Sequence, residues 1–315
     1  MHRIGYLLKE GFQVMALATQ SVFEYANTVV AQQFYAVDNF SVAGGAMASS
    51  LGLSVMTRCA QASSHADTWI VSGVADPLAY PASPEELAFL HAVSPRARRI
   101  VSICTGAFVL AQAGLLAGRR ATTHWAFAAE MQKHFPEIAV EPDRIFIVDG
   151  PIWTSAGMTA GLDLALAIVE QDLGAEVARS VAHKLVMYQR RAGGQSQHSE
   201  MLGLAPKSDR IQNALNYARQ HLSQALSVDA LAASANLSAR QFSRVFTAET
   251  GQSPAKAIEG LRLEAARLMI EQSRHPLDVI AKETGFRDRK HMREVFLRGF
   301  GLPPQAIRRD GRELR

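Results

Sequence analysis

Cysteine is scarce: Cys59 and Cys104 are the only two in 315 residues. That excludes a disulfide framework and fits a chain kept in a reducing compartment. Long hydrophobic runs are also missing, since no apolar stretch approaches the roughly 18 residues that suggest a membrane span. Lys9 falls before any apolar segment of signal-peptide length develops. The expectation is a soluble, cytoplasmic protein with no membrane partner. Metal-ligand spacing is absent too: His183, His198, His221, His275 and His291 form no such pattern, so no metal is expected. Gly44-Gly45 and Gly193-Gly194 read as turns, and no phosphate-binding fingerprint follows a strand, so no cofactor is expected either.

What is present is a chain long enough for two domains, with its charge divided unevenly. The net charge is +4, but residues 207–315 hold 19 of the 33 basic and 12 of the 29 acidic groups. The C-terminal third is therefore basic and the remainder mildly acidic, the outline of a nucleic-acid binder joined to a separate domain.

Through about residue 190, short apolar runs with strand character alternate with helical stretches. Arg3–Leu8, Thr68–Ser72, Arg99–Ile103 and Ile145–Asp149 read as strands, while Glu85–Ala92, Ala107–Leu116 and Gly161–Gln171 read as helices. This alternation predicts an α/β domain, a mostly parallel sheet covered on both faces. The polar, aperiodic stretch from Arg191 to Pro206 reads as a linker. After it the pattern is all-α.

That helical region states one unit twice. Asp229, Leu231, Ala232 and Leu237 recur 49 positions later as Asp278, Ile280, Ala281 and Phe286; Val245-Phe246, Gly251 and Pro254 recur as Val295-Phe296, Gly301 and Pro304. In the first copy a short helix ends at Asn236-Leu237. Ser238 then stands at an N-cap with Gln241 three residues on, the spacing of a capping box. The following helix places Phe242, Val245 and Phe246 on one side. Arg240, Gln241, Ser243, Arg244 and Thr247 are left to face base edges and phosphates, as a recognition helix requires. In the second copy Asp288 is the N-cap, and Met292, Val295 and Phe296 form the buried stripe. Arg287, Arg289, Lys290, His291 and Arg293 crowd the helix start against the macrodipole, which polyanionic DNA would explain. Pro254 starts a helix of about twenty residues, roughly 30 Å long. That suits two recognition helices placed about 34 Å apart. The expectation is tandem helix-turn-helix units on double-stranded promoter or operator DNA.

Residues 207–315 resemble the DNA-binding domain of AraC/XylS-type transcriptional regulators. The match runs through Leu-Ser-x-Arg-x-Phe-x-Arg-x-Phe from Leu237 to Phe246, Thr250-Gly-Gln-Ser-Pro, Leu261-Arg-Leu-Glu-Ala-Ala-Arg-Leu-Met, Ile280-Ala-Lys-Glu-Thr-Gly-Phe and Phe300-Gly-Leu-Pro-Pro. The resemblance implies contacts from Arg240, Ser243 and Arg244 on one helix and from Arg289, Lys290 and Arg293 on the other. It also implies a homodimer and RNA polymerase as a partner. Glu294 departs from it, standing where the family usually has Arg.

In Ile100-Val-Ser-Ile-Cys104-Thr-Gly a strand runs into a helix with the cysteine at the corner, the layout of a nucleophile elbow. A helix N-terminus favours thiolate and lowers the thiol pKa, and His124 follows a further short strand. These residues fit either a reactive thiol or a structural core cysteine. The segment Cys104-Thr-Gly-Ala-Phe-Val-Leu-Ala, continuing to Thr-Thr-His-Trp125, resembles the class I glutamine amidotransferase-like fold of the PfpI type, in the version fused to AraC-type regulators. Thr154-Ser-Ala-Gly-Met-Thr-Ala-Gly-Leu-Asp and Arg190-Arg-Ala-Gly-Gly-Gln-Ser-Gln match as well. Hydrolytic members place His where Thr105 stands, and many carry Glu where Ser21 stands; Glu24 lies three residues further on. A Cys–His pair without an orienting acid falls short of a supported nucleophile. The expectation is therefore no enzyme but a ligand pocket around Cys104, His124, Ser21 and Thr105. The resemblance implies a small-molecule effector, a nitrogenous metabolite. The alternative is a cysteine-dependent hydrolase or hydratase fused to a DNA-binding domain. The expected division is 1–190 for sensing and dimerisation, 191–206 as linker, and 207–315 for DNA.

Overall fold

The computed structural model describes residues 1–187 and 206–313 together with Arg191, Gly193, Gln197 and Leu204. The chain forms two compact units, residues 1–197 and 198–315.

The first unit is built on strands β1 (His2–Leu7), β2 (Tyr35–Ser41), β3 (Gly45–Ala48), β4 (Ser54–Cys59), β5 (Thr68–Val71), β6 (Arg99–Ile103), β7 (Arg120–Ala121), β8 (Ala139–Val140), β9 (Phe146–Asp149) and β10 (Ile152–Ser155). Eight of them form one sheet in the order β3-β4-β2-β1-β5-β6-β10-β9, with β7 and β8 paired separately. Neighbours are parallel except at the edges, where β3 runs antiparallel to β4 and β9 to β10. Every residue of β5 and β6 is buried, as expected of central parallel strands covered on both faces. Alternate residues serve opposite layers. Ile70, Val101 and Ile103 join Phe23, Leu164, Ile168 and Val181 on the side of α1 (Gln20–Val30), α5 (Thr159–Leu173) and α6 (Ala175–Lys184). Trp69, Val71 and Ile100 join Phe89, Phe108, Leu110 and Met131 on the side of α2 (Pro84–Val93), α3 (Gly106–Gln112) and α4 (Trp125–His134).

Strands β2, β3, β4, β8 and β10 and several helices escape the apolar-run reading. Asp38-Asn39 interrupts half-buried β2, and β10 is a four-residue return after the turn at Gly150. The helix expected over 107–116 stops at Gln112.

Of the expected linker, residues 192, 194–196, 198–203 and 205 lie outside the described residues, as does His198. Arg191, Gly193 and Gln197 touch the first unit. Leu204 is buried in the core of the second.

The second unit comprises α7 (Asp209–Gln220), α8 (Val228–Ser234), α9 (Ala239–Thr250), α10 (Pro254–Gln272), α11 (Leu277–Glu283), α12 (Arg289–Phe300) and α13 (Pro304–Glu313). The repeat is explicit: α8 and α11 are both seven residues long, and α9 and α12 are both twelve. Each copy has its own core. Leu231, Phe242 and Phe246 pack with Ile258 from the start of α10. Ile280, Met292, Val295 and Phe296 pack with Ala266 and Ile270 from its end.

Candidate functional site

Each reader begins with a turn that only some residues tolerate. Asn236 has φ 54° between α8 and α9, a left-handed conformation that Asn adopts more readily than most residues. Its counterpart Gly285 has φ 79° and lies so close to the Leu222 carbonyl that no Cβ would fit. The expected capping box forms: Ser238 Oγ accepts from Gln241 N, while Gln241 Oε1 accepts from Ser238 N at 3.2 Å. In the second copy the Asp288 carboxylate accepts from His291 N at 2.7 Å, and that bond holds its pKa below the ordinary value.

Behind the caps Phe242 and Phe246 are buried, as are Met292, Val295 and Phe296, while Val245 is half-buried. Arg240, Gln241, Arg244 and Thr247 are exposed on α9, and Ser243 is half-buried. Arg289, Lys290, Arg293 and Glu294 are exposed on α12, with Arg287 just before it. His291 differs from the expected pattern: half-buried, its ring packs edge-on against Phe286 at 5.6 Å, away from the exposed basic row.

A tie between the copies was invisible in the sequence. From α10, Arg262 donates to the carbonyls of Leu222 at 3.2 Å and Gln224 at 2.7 Å, just before the first reader. Arg298 of α12 meets Glu259 of α10 at 3.0 Å. The connecting helix therefore holds both readers by side chains as well as by its backbone.

In the first unit Cys104 joins β6 to α3 with φ 57°, the strained backbone expected of an elbow. Gly157 presses on it from the loop after β10: a Cβ there would stand 2.9 Å from the thiol sulfur. Met158 follows with φ 51° and leads into α5. Thr123 Oγ1 donates to the Cys104 carbonyl at 3.1 Å, and Thr105 Oγ1 donates to the Val74 carbonyl at 2.6 Å.

The expectation of a lowered thiol pKa is overturned. Burial pushes Cys104 up to about 11, and hydrogen bonds from Thr105 oppose it only partly. Desolvation favours the neutral thiol and is the largest of the effects acting on it. His124 is the N-cap of α4, its Nδ1 accepting from Ala126 N at 3.3 Å. This assigns the ring proton to Nε2, so the neutral imidazole has no second lone pair for a thiol proton. Ser21 is half-buried in the first turn of α1, and Glu24 is exposed. The acid of a catalytic set is not supplied by either position. Thr123, Gly157 and Met158 were missed as parts of the site, although the motif from Thr154 contains the last two. Among the described residues, no group of three His, Cys, Asp or Glu side chains could hold a metal, and no helix is long and apolar enough to cross a membrane.

Comparison with known proteins places both units. Residues 231–310 match the helix-turn-helix domain family and residues 14–171 the DJ-1/PfpI family. The chain is 31% identical over 321 residues to the HTH-type transcriptional regulator GlxA of Rhizobium meliloti, spanning 98% of this chain and 96% of that protein. It is 29% identical over 309 residues to the HTH-type transcriptional regulator GbdR of Pseudomonas aeruginosa, spanning 97% and 83% respectively. The crystal structure of an AraC family transcriptional regulator from Pseudomonas putida shares the fold over 59% of this chain and 100% of its own, with TM-score 0.54 and 23% identity. A DJ-1/PfpI α/β domain followed by a doubled AraC-type reader thus accounts for almost the whole chain, which belongs to the family of HTH-type transcriptional regulators that bind double-stranded DNA.

Proposed function

We propose that residues 1–190 sense a small nitrogenous metabolite at the Cys104 elbow and pair two chains. Residues 207–315 read an operator in the cytoplasm and present the dimer to RNA polymerase. The carrying observation is the matched pair of twelve-residue helices, α9 and α12, each with a buried apolar stripe behind an exposed basic face. Ser238, Arg240, Gln241, Ser243 and Arg244 contact DNA from the first, and Arg287, Arg289, Lys290 and Arg293 from the second. Each helix enters one of two successive major grooves.

The elbow serves recognition and not turnover. A thiol pushed up to about pKa 11 by burial is a poor nucleophile at neutral pH, and the Nδ1 of His124 already caps α4. The test is a thermal-shift screen of the full chain against small amines, amino acids and quaternary ammonium compounds, followed by DNA titration with each stabilising compound. One of them should both raise the melting temperature and change operator affinity. A saturating compound that leaves affinity, DNA bending and promoter output unchanged overturns the coupling. Steady hydrolysis of an amide, abolished by Cys104→Ser, overturns the non-catalytic reading.

A further inference from the structure

The two recognition helices correspond residue for residue. Each runs twelve residues, and in each the fourth and eighth side chains are buried: Phe242 and Phe246 in α9, Met292 and Phe296 in α12. The sixth residue stands two places from both, about 200° of helical turn away, so it points outward from the core. That residue is Arg244 in the first copy and Glu294 in the second, and both are exposed. In α12 a carboxylate thus holds the centre of the outward surface, where α9 has a guanidinium.

The fold gives that carboxylate no task. Arg298, four residues on and the natural helical partner, is turned instead to Glu259 of α10 at 3.0 Å. Arg287 and Arg289 face Asp288 and Asp278. Among the described residues the Glu294 side chain forms no ion pair and no hydrogen bond. On a surface that meets DNA, a bare carboxylate repels phosphate, and only a donor on the duplex offsets that cost. The major groove offers two such donors, the N4 amino group of cytosine and the N6 amino group of adenine. Adenine sets its N7 acceptor beside the amino group, which a carboxylate avoids, whereas cytosine presents the amino group alone. We propose that Glu294 is a specificity-determining residue, accepting from the N4 amino group of a cytosine in the groove that α12 enters.

The equivalent Arg244 carries a planar fork that fits guanine O6 and N7. The duplicated helices therefore ask opposite questions at one position, guanine in the first groove and cytosine in the second. Arg289 and Lys290, exposed one turn earlier on α12, keep the phosphate anchoring that offsets the repulsion of the acid. This rests on the regulator reading above.

Three full-length variants test it: Glu294→Ala, Glu294→Gln and Glu294→Arg. Each should melt with the parent, because the side chain is exposed and unpaired. The parent and each variant select duplexes from the same random-sequence library. The parent should enrich a cytosine in its second determinant. Glu294→Ala should lose that preference while keeping the first determinant, Glu294→Gln should turn it to adenine, and Glu294→Arg to guanine. Replacing the selected cytosine by an analogue without the N4 amino group should weaken the parent about ten-fold or more and leave Glu294→Ala unchanged. Duplexes of unrelated sequence should bind Glu294→Ala more tightly than the parent, since the repelling charge is gone. If Glu294→Ala selects the parent's second determinant, or the analogue binds the parent like cytosine, Glu294 is a solvated charge and the proposal is overturned while the regulator reading stands. A parent that selects no sequence at all brings down both.

Discussion

In the first helix-turn-helix copy Ser238 and Gln241 cap each other, and α9 shows Arg240 and Arg244 among neutral side chains. In the second, a carboxylate caps α12 and the exposed cations stand beside acids: Arg287 pairs with Asp288 at 3.2 Å, Arg289 approaches Asp278 at 4.0 Å, and Glu294 shares the exposed face. Among the described residues neither Arg240 nor Arg244 forms an ion pair. Equal helices with unequal faces teach that the two copies share a scaffold and differ in the charge they expose. In the proposed reading the free guanidiniums of the first copy would discriminate bases, and the partly self-neutralised cluster of the second would anchor phosphates.

The largest expected effect tests whether the copies are separate bodies. Phe246→Ala and Phe296→Ala each remove a fully buried ring and should cost about 3–5 kcal/mol. Hydrogen exchange should rise in α8 and α9 for the first and in α11 and α12 for the second. Uniform loss across both would show that Arg262 and α10 fuse them into one cooperative unit. Next in size, Arg240→Ala or Arg244→Ala should cost about 1–3 kcal/mol on the preferred sequence and relax that preference. By contrast, Arg289→Ala or Lys290→Ala should weaken all duplexes alike and reduce the salt slope by about one. The reverse pattern in binding titrations would exchange the two roles. Smaller again, Ser238→Ala should cost about 1 kcal/mol in urea unfolding, a loss independent of pH.

The Asp288 cap should behave differently. Its folded pKa lies below the ordinary 3.8, so its contribution is full above that value and fades as pH falls through the depressed folded pKa. Acid titration of stability should therefore lose this contribution in the parent and show no such loss in Asp288→Ala.

The repeat was legible because it is written in local spacing. Caps, i, i+3 and i, i+4 stripes and turn residues all act within one or two helical turns, and Ser238, Asn236 and Phe242 take the places that spacing assigns. The elbow's shape was equally local, but its chemistry was not. The groups that bury Cys104 include Gly157, more than fifty residues away, so the sign of the thiol shift was misread from helix polarity alone. The half-burial of His291 against Phe286 was hidden for the same reason, since the ring contact is not written in the basic run around it. The contacts of Arg191, Gly193 and Gln197 were hidden in a stretch that reads as a polar linker, because their partners Thr123, Arg144, Phe146 and Asp163 lie upstream on other elements. The one sequence signal of the Arg191 contact was Asp163, an acid amid the apolar run from Ala160 to Val169 that demands a partner once buried.

Selection of duplexes from a random-sequence library by the full chain, followed by hydroxyl-radical footprinting of the winners, tests the central claim most directly. The two matched readers predict two sequence determinants about 10 base pairs apart, protected on one face of the DNA, with the Arg240–Arg244 side the more strictly specified. Binding without enrichment, or a single determinant spanning one groove, would contradict it.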